Sequence, residues 1–408
     1  MAGLRHHMKM REGFSQRMLA EPFRHPTDIW IQAASAGESH LAGMLMERLA
    51  REDDFRILAT TNTRQGLDIL AATAARLRKK GPGSGIQTRF FPFDRPAIMR
   101  RAVHNLQPRL MVLLETELWP GLIYTLRQAG IPILMLNARL QARSLKTYRL
   151  WPGLWRHLSP DRILAVSRAD AGRLERLFDR CPVEIMPNMK FDRMALPPDS
   201  GPAAQPLAWT RHLPPDSPFV VLGSIRREEE IVVAKMIAHL LQRRPDLVVG
   251  LYPRHMHRIE PWRRRLQSIG IRYWLRSRID RDVKKGTVII GDIFGELVQT
   301  YPLTAGVFVG GSLAPLGGHN FLEPLLGGIA AVIGPYRQAF EWVGPDLFRD
   351  NLVHVATDWR AAARLLLNEL SAAGPKNDIQ RRAAAFFERH RGGTKQACLA
   401  IREILTGT

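Results

Sequence analysis

Short apolar runs, each followed by a stretch of helical periodicity, recur along this chain and narrow its possible folds to one architecture. Residues 29–34 lead into Gly37-Glu38 and a stripe of Leu41, Met44, Leu45 and Leu49; 55–60 precede 66–77; Leu110–Leu114 precede 120–129. Residues 131–136 and 162–166 follow the same plan, the latter running into a helix with Ser167 placed as its cap. Buried strands alternating with amphipathic helices are the pattern of a parallel, doubly wound α/β sheet. The alternation stops across 196–218, which holds seven prolines, and restarts at 219–222, 247–252, Thr287–Ile290, Gly306–Val309 and Ala331–Ile333. The expected organisation is a Rossmann-like domain over 1–195, a Pro-rich linker over 196–218, and a second Rossmann-like domain over 219–408. The last helix has the option of packing back on the first domain.

Two such domains imply a cleft, and in doubly wound sheets ligands sit beyond the carboxyl ends of the strands. The residues just after each strand are therefore the candidates. Ser35-Ala36-Gly37-Glu38 follows the first; Gly37 permits a tight turn and Glu38 stands near a helix start. A lone carboxylate there also suits the helix dipole, so a purely structural role stays open. Glu115 and Glu117 follow the third strand, and their period-2 spacing points both the same way if the strand continues. Arg139 and Arg143, after the fourth, suit a phosphate or carboxylate. In the second half, Arg254 follows a strand as a bidentate donor, and Gly295-Glu296-Leu297 opens a helix whose free N–H groups can hold an anion. The string from Gly310-Gly311-Ser312 to Gly317-Gly318-His319-Asn320 reads as a phosphate cradle, with Glu323 one turn into the following helix and placed for ribose hydroxyls. His255 and His257 have no third partner at ligand spacing, so no metal is expected.

Charge adds a second constraint. Lys and Arg number 59 against 38 Asp and Glu, a net +21, with +13 of it in residues 1–193. Such a field attracts polyanions. Nucleic acid is not the expected partner, because no element interleaves clustered Lys/Arg with aromatics. Two cysteines, Cys181 and Cys398, make no disulfide framework. No run reaches the ~18 apolar residues of a membrane span. The basic segment with Arg5, Lys9, Arg11 and Arg17 beside Met8, Phe14, Met18 and Leu19 is the expected contact with an anionic membrane surface.

The strings Gly-Gly-Ser, Gly317-Gly318-His319-Asn320-x-Leu322-Glu323-Pro324 and Gly334-Pro335 together resemble one family, the bacterial 3-deoxy-D-manno-octulosonic acid (Kdo) transferases. So do Pro253-Arg254-His255, Asp292-x-x-Gly295-Glu296-Leu297, Asn188-x-Lys190-Phe191-Asp192 and Pro92-Phe93-Asp94. In the first half Ser35-x-Gly37-Glu38, Thr60-Thr61-x-Thr63, Glu115-Thr116-Glu117-Leu118-Trp119-Pro120 and Asn137-Ala138-Arg139-Leu140 match as well. The resemblance is colinear from about residue 10 to about residue 345.

It implies a GT-B fold and CMP-Kdo as the donor substrate, with no separate cofactor. It also implies inverting transfer to an anionic lipid A precursor by a peripheral protein at the cytoplasmic face of the bacterial inner membrane. Glu38 becomes the implied catalytic base. Arg254, Gly295, Glu296, Leu297, Gly311, Ser312, Gly317, Gly318, Asn320 and Glu323 fall to the donor. Ser35, Gly37, Thr61, Glu115, Glu117, Arg139 and Arg143 fall to the acceptor side. The chain departs from the family pattern at Gln32, at Ile225-Arg226 and at Gln141, all expected to face the cleft. Another CMP-activated ulosonic acid, or another acceptor, is the alternative those departures suggest.

Overall fold

The computed structural model describes residues 12–21, 23, 26–79, 85–194, 207–371 and 376–407. Of the expected membrane-contact segment, Arg5, Met8, Lys9 and Arg11 lie outside them. The chain divides into two compact units, Met1–Arg193 with His390–Thr408, and Met194–Arg389.

The first unit is built on seven parallel strands: β1 (Ile29–Ala33), β2 (Ile57–Thr61), β3 (Ile86–Phe90), β4 (Leu110–Leu114), β5 (Ile133–Ala138), β6 (Arg162–Ala165) and β7 (Val183–Ile185). Their order is β3-β2-β1-β4-β5-β6-β7, so the chain reverses its direction of travel between β1 and β4. Its helices are α1 (Phe14–Arg17), α2 (Ala36–Glu52), α3 (Arg64–Lys79), α4 (Pro96–Leu106), α5 (Pro120–Gln128), α6 (Ala142–Tyr148), α7 (Pro152–His157) and α8 (Arg168–Glu175). The central strands are fully buried and divide their side chains between two cores by simple alternation. Leu110, Val112 and Leu114 face one core while Met111 and Leu113 face the other.

The second unit repeats the plan with β8 (Phe219–Ile225), β9 (Val248–Pro253), β10 (Tyr273–Leu275), β11 (Thr287–Ile290), β12 (Gly306–Val309), β13 (Ala331–Ile333) and β14 (Val353–Val355). The order is β10-β11-β9-β8-β12-β13-β14, all parallel, with the reversal between β8 and β12. Its helices are α9 (Glu230–Arg243), α10 (Ile259–Ser268), α11 (Leu297–Thr300), α12 (Glu323–Leu326), α13 (Asp346–Arg349), α14 (Trp359–Ser371) and α15 (Lys376–Arg389).

One boundary differs from the sequence expectation, and at the other the structure shows where the last helix packs. The described part of the Pro-rich stretch is not a free linker: Trp209 is buried and packs its ring 6.0 Å from that of Phe219, and Val283 donates its backbone N–H to His212 O. At the other end α16 (Gly393–Thr406) belongs by its contacts to the first unit, where Ala397, Cys398, Ala400 and Ile401 join the core beneath β1 and β4. Asp192 fixes that helix by accepting from Gly392 N at 2.8 Å and Thr394 N at 2.6 Å.

The N-terminal segment also differs. Arg17 is 6% exposed and donates to Phe91 O and Asn62 O, and Leu19 is 3% exposed in the core. They tie α1 to the end of β3, so neither can meet a membrane.

Candidate active site

Both reversals of strand order create a gap at the carboxyl edge of their sheet where loops diverge. In the first unit that gap lies between the ends of β1 and β4. β1 ends at Ala33, and Ser35 caps α2 by accepting from Glu38 N at 3.3 Å. Glu38 answers with both oxygens, one accepting from Ser35 Oγ at 2.6 Å and the other from Ala34 N at 2.8 Å. The carboxylate is 7% exposed, while Ser35 and Gly37 stand open on the turn. Burial raises its pKa, and the nearby charge of Glu115 adds to this; the Ser35 hydroxyl offsets part of it.

Across the gap the strand does not continue past Leu114, so the period-2 argument for Glu115 and Glu117 fails. Glu115 instead turns the chain with φ +56° and pairs with Lys190 Nζ. Glu117 accepts from Trp119 Nε1 at 2.9 Å. The two acids nonetheless converge on Glu38. Burial first, then the charge of Glu38, raises the Glu117 carboxyl to about 7, with Trp119 acting in opposition. Three carboxylates and one lysine thus share a half-buried centre in which Glu117 titrates near neutrality.

The motifs around this centre hold it. Asp94 accepts from Gly121 N and Leu122 N, starting α5 just after the acidic turn. Asn188 fixes the Lys190 backbone at 2.9 Å, and Asn137 accepts from Met189 N, also at 2.9 Å. Lys190 was legible only as a motif letter; its pairing needs a fold that brings β4 and the end of β7 together.

The other acceptor-side candidates divide. Arg139 is half-buried after β5, Arg143 is exposed on α6, and neither makes an ion pair among the described residues. Thr61 is corrected: it is fully buried and accepts from Ser39 Oγ at 3.3 Å, supporting α2 instead of facing a ligand. Gln32 is likewise buried, accepting from Thr60 Oγ1 at 2.6 Å within the sheet, so this departure does not reach the site. Gln141 is exposed at the start of α6. A groove of the unit, about 1030 Å³ and lined by Met44, Arg51, Arg76 and Lys395 among others, contains none of the three acids.

In the second unit the gap lies between the ends of β8 and β12. The Gly310-Gly311-Ser312 turn has the shape of an anion nest, with Gly311 at φ +73°, but its anion is internal. Glu229, fully buried, accepts from the backbone N–H groups of Gly311, Ser312 and Leu313. Ser312 Oγ donates to Val309 O and accepts from Gly334 N. A Cβ on Gly334 would meet Ser312 O at 2.2 Å, so only glycine fits. Gly311 and Ser312 therefore shape the site and do not offer free donors to a phosphate.

Glu296 is also occupied: it takes a two-pronged bond from Arg276. Asp292 accepts from Ser277 N at 2.8 Å, so these acids pin the turn after β10. Between them Phe294 is 84% exposed beside Gly295 at φ +93°, and Leu297 opens α11. Glu323 begins α12, not one turn into it, and accepts from Asn320 Nδ2 at 2.9 Å.

What remains for an anion is a cationic corner. Arg254 is exposed, with no ion pair among the described residues, its N–H held by Ile225 O at 2.8 Å. Burial lowers His319 to about 4, and the positive charges of Arg254 and Arg226 lower it further, so the imidazole is neutral between two arginines. Its Nε2 is buried without a partner, and Gly317 and Gly318, both at positive φ, let its loop fold close. Ile225 is core, whereas its half-buried neighbour Arg226 pairs with Glu228 at 3.6 Å and, like Arg254, acts by its charge on His319. The sequence named His319 only within the glycine-rich cradle and Arg226 only as a departure facing the cleft, with no role for either side chain. His255 and His257 stack on one another, with centroids 5.5 Å apart. An Asp-x-Asp string does occur, Asp280-Arg281-Asp282, but Asp282 stands beside His212 on the approach to β11, at the other end of the sheet.

Known proteins resemble this chain in sequence and in fold. The family model described as 3-deoxy-D-manno-octulosonic-acid transferase (kdotransferase) matches residues 6–193. The chain is 29% identical over 385 residues to a 3-deoxy-D-manno-octulosonic acid transferase of Bordetella pertussis, covering 92% of this chain and 87% of that one. It is 30% identical over 355 residues to one from Haemophilus influenzae, covering 85% and 78%. Among solved structures, a glycosyltransferase from Rickettsia africae matches with TM-score 0.63 at 11% identity, over 95% of this chain and all of that one. A UDP-GlcNAc 2-epimerase from Neisseria meningitidis matches with TM-score 0.57 at 11% identity, over 93% of this chain. These two likenesses establish the fold alone, the two-domain α/β architecture of GT-B type.

Proposed function

Because the chain belongs to the Kdo transferase family of glycosyltransferases, we propose that it transfers Kdo from CMP-Kdo to a hydroxyl of a lipid A precursor, with inversion at the anomeric carbon. The observation that carries this reading is the acidic centre beside β1 and β4. Glu38 has its pKa raised by burial and by Glu115, which makes it a stronger base than a solvated carboxylate. The acceptor oxygen attacks the anomeric carbon as Glu38 takes its proton; the bond to the CMP phosphate oxygen breaks with its electron pair, and CMP leaves. Glu117, protonated up to about pH 7, keeps the centre from carrying three full charges.

The second unit is assigned to the donor. Arg254 and Arg226 face the phosphate and the sugar carboxylate, and neutral His319 adds a hydrogen bond without a further charge. Asn320 with Glu323 supplies polar groups for the ribose. The acceptor being a lipid, the protein works as a peripheral protein at the cytoplasmic face of the bacterial inner membrane. A second reading, another CMP-activated ulosonic acid, is favoured by Arg226, which adds a cation at the donor corner.

The test is incubation of the purified protein with CMP-Kdo and a tetraacylated lipid A precursor, followed by a mass spectrum of the lipid. A mass gain equal to Kdo is expected. Unmodified lipid, with transfer from a different CMP-ulosonic acid, would move the assignment to the second reading.

A further inference from the structure

No Asp or Glu stands between Glu117 and Asp161, while Arg127, Arg139, Arg143, Lys146, Arg149 and Arg156 do. The middle of this acid-free stretch folds as the short helices α6 and α7, joined through residues 149–151. Leu145, Trp155 and Leu158 are buried and fasten the pair to the core of the first unit, and the rings of Tyr148 and Trp155 meet edge to face at 5.0 Å. That anchoring leaves the tip rigidly presented. At the tip Leu150 is 68% exposed, Trp151 61% and Leu154 46%. Nowhere else among the described residues do three large apolar side chains this exposed fall within five positions. Beside them Lys146 and Arg149 are exposed and make no ion pair among the described residues.

We propose that the α6–α7 hairpin is a bilayer-docking surface, with Leu150, Trp151 and Leu154 entering the interface of an anionic membrane while Lys146 and Arg149 meet its headgroups. The proposal rests on the membrane reading given above and adds a contact outside the N-terminal segment, where Arg17 and Leu19 are buried. Charge complementarity selects the occupant. An apolar tip ringed by unpaired cations and free of acids fits a surface that is apolar inside and negative outside. A protein partner would need a large, shaped patch; this one consists of three apolar side chains. Tryptophan and leucine beside basic residues are the composition of interfacial anchors.

The position adds an independent argument. Tyr148, in the same hairpin, lies close enough to Glu117 to feel its charge. A membrane met at residues 150–154 would therefore bring lipid headgroups to the neighbourhood of the acidic centre, where an acceptor hydroxyl is needed.

The experiment is cosedimentation of the full chain, without donor, with vesicles of phosphatidylglycerol and phosphatidylcholine, and with vesicles of phosphatidylcholine alone. One variant is Leu150→Ser/Trp151→Ser/Leu154→Ser. A second, Lys146→Gln/Arg149→Gln, changes only exposed polar ends and keeps the apolar tip. A third, Ile231→Ser/Leu399→Ser, removes exposed apolar side chains elsewhere, 60% and 45% exposed. Wild type is expected on anionic vesicles and not on neutral ones. At about five-fold per basic residue the charge variant should bind roughly 25-fold more weakly. The apolar variant should lose binding, and the third should match wild type. Thermal melting confirms that each is folded. Wild-type binding unchanged in both hairpin variants overturns the proposal and leaves the membrane reading standing. A wild type that binds neither vesicle at low salt overturns both. Concentration-dependent dimerisation that the serine variant abolishes assigns the tip to a second copy of the chain and also overturns the proposal. Transferase activity enters none of these readouts, so failure of the Kdo assignment is seen separately.

Discussion

Glu38 closes the first turn of α2, and the proposed function gives the same carboxylate a second role as the base. Glu38→Gln separates them. The amide still accepts one of the two hydrogen bonds, and the Ser35 hydroxyl can reverse to accept from the new N–H₂, so the fold should lose only about 1 kcal/mol. Transfer should fall by about 100-fold or more, the usual scale for a general base. A folded variant with near-normal turnover would remove Glu38 from the chemistry. Glu117 gives a sharper, pH-resolved test. Its folded pKa is about 7 against an ordinary 4.5. Between those values the folded state binds more protons than the unfolded chain, so this residue makes stability fall as pH rises through that window. Glu117→Gln should remove that slope. Relative to wild type it should be more stable at pH 8 than at pH 4.5 by on the order of 2 kcal/mol. Urea melts at the two pH values measure it, and an identical difference at both would sink the claim. At this scale much of the site was readable: Glu38, Glu115, Glu117 and Arg254 were picked out from their places after strands. Lys190 and His319 entered only as motif letters and Arg226 only as a departure, none with a role for its side chain. Their roles are set by neighbours distant in sequence, and a lone Lys, Arg or His carries no local signal of its partner.

Glycine-rich turns show the same limit among elements. The Gly310-Gly311-Ser312 string correctly announced a nest of backbone N–H groups, but not which anion fills it. Glu229 does, 82 residues earlier at Gly311. With its carboxylate shared among the amides of Arg226, Gly311, Ser312 and Leu313, Glu229→Ala leaves them without that partner. The expected loss is about 3 kcal/mol from the second unit, together with weaker CMP binding, because the loop to His319 is no longer held. Calorimetric unfolding and titration with CMP check both; a variant that melts like wild type would mean the turn is held by its glycines alone. Strands were unevenly legible for a related reason. Every strand expected from the sequence occupies an interior position in its sheet. The four that went unread, β3, β7, β10 and β14, are the four sheet edges. Interior strands are buried on both faces and read as continuous apolar runs; edge strands such as Ile86–Phe90, with Gln87, Thr88 and Arg89 only half-buried, mix polar residues into too short a run.

Across the whole chain, the first unit's core is closed by residues from the far end of the sequence. Ala397, Cys398 and Ile401 are fully buried against the face formed by Leu110, Val112 and Leu114. Arg402 bonds Asp53 at 3.0 Å, and Arg109 donates to Leu405 O at 2.8 Å. Among the described residues, none of α16 is in the core cluster around Val220, Leu222 and Val249 of the second unit. A chain ending after Arg389 therefore has a definite expected behaviour. Its first unit would expose an apolar face and leave Asp192 without the N–H groups it caps. At roughly 1.5–3 kcal/mol for each large side chain removed from burial, the loss approaches the whole stability of an ordinary domain. The second unit keeps all of its strands and helices. Differential scanning calorimetry of the full chain should resolve unfolding of both units, and the truncated chain should retain only the second unit's transition. Hydrogen exchange would then show β1, β4 and β5 unprotected while β8, β9 and β12 stay protected. Ile401→Ala is the milder counterpart. It should lower the first unit's transition by the ~2–4 kcal/mol of a buried large-to-small change and leave the other in place. If the truncated chain kept both transitions at full-length temperatures, the helix would be an accessory to the first unit and not part of its core.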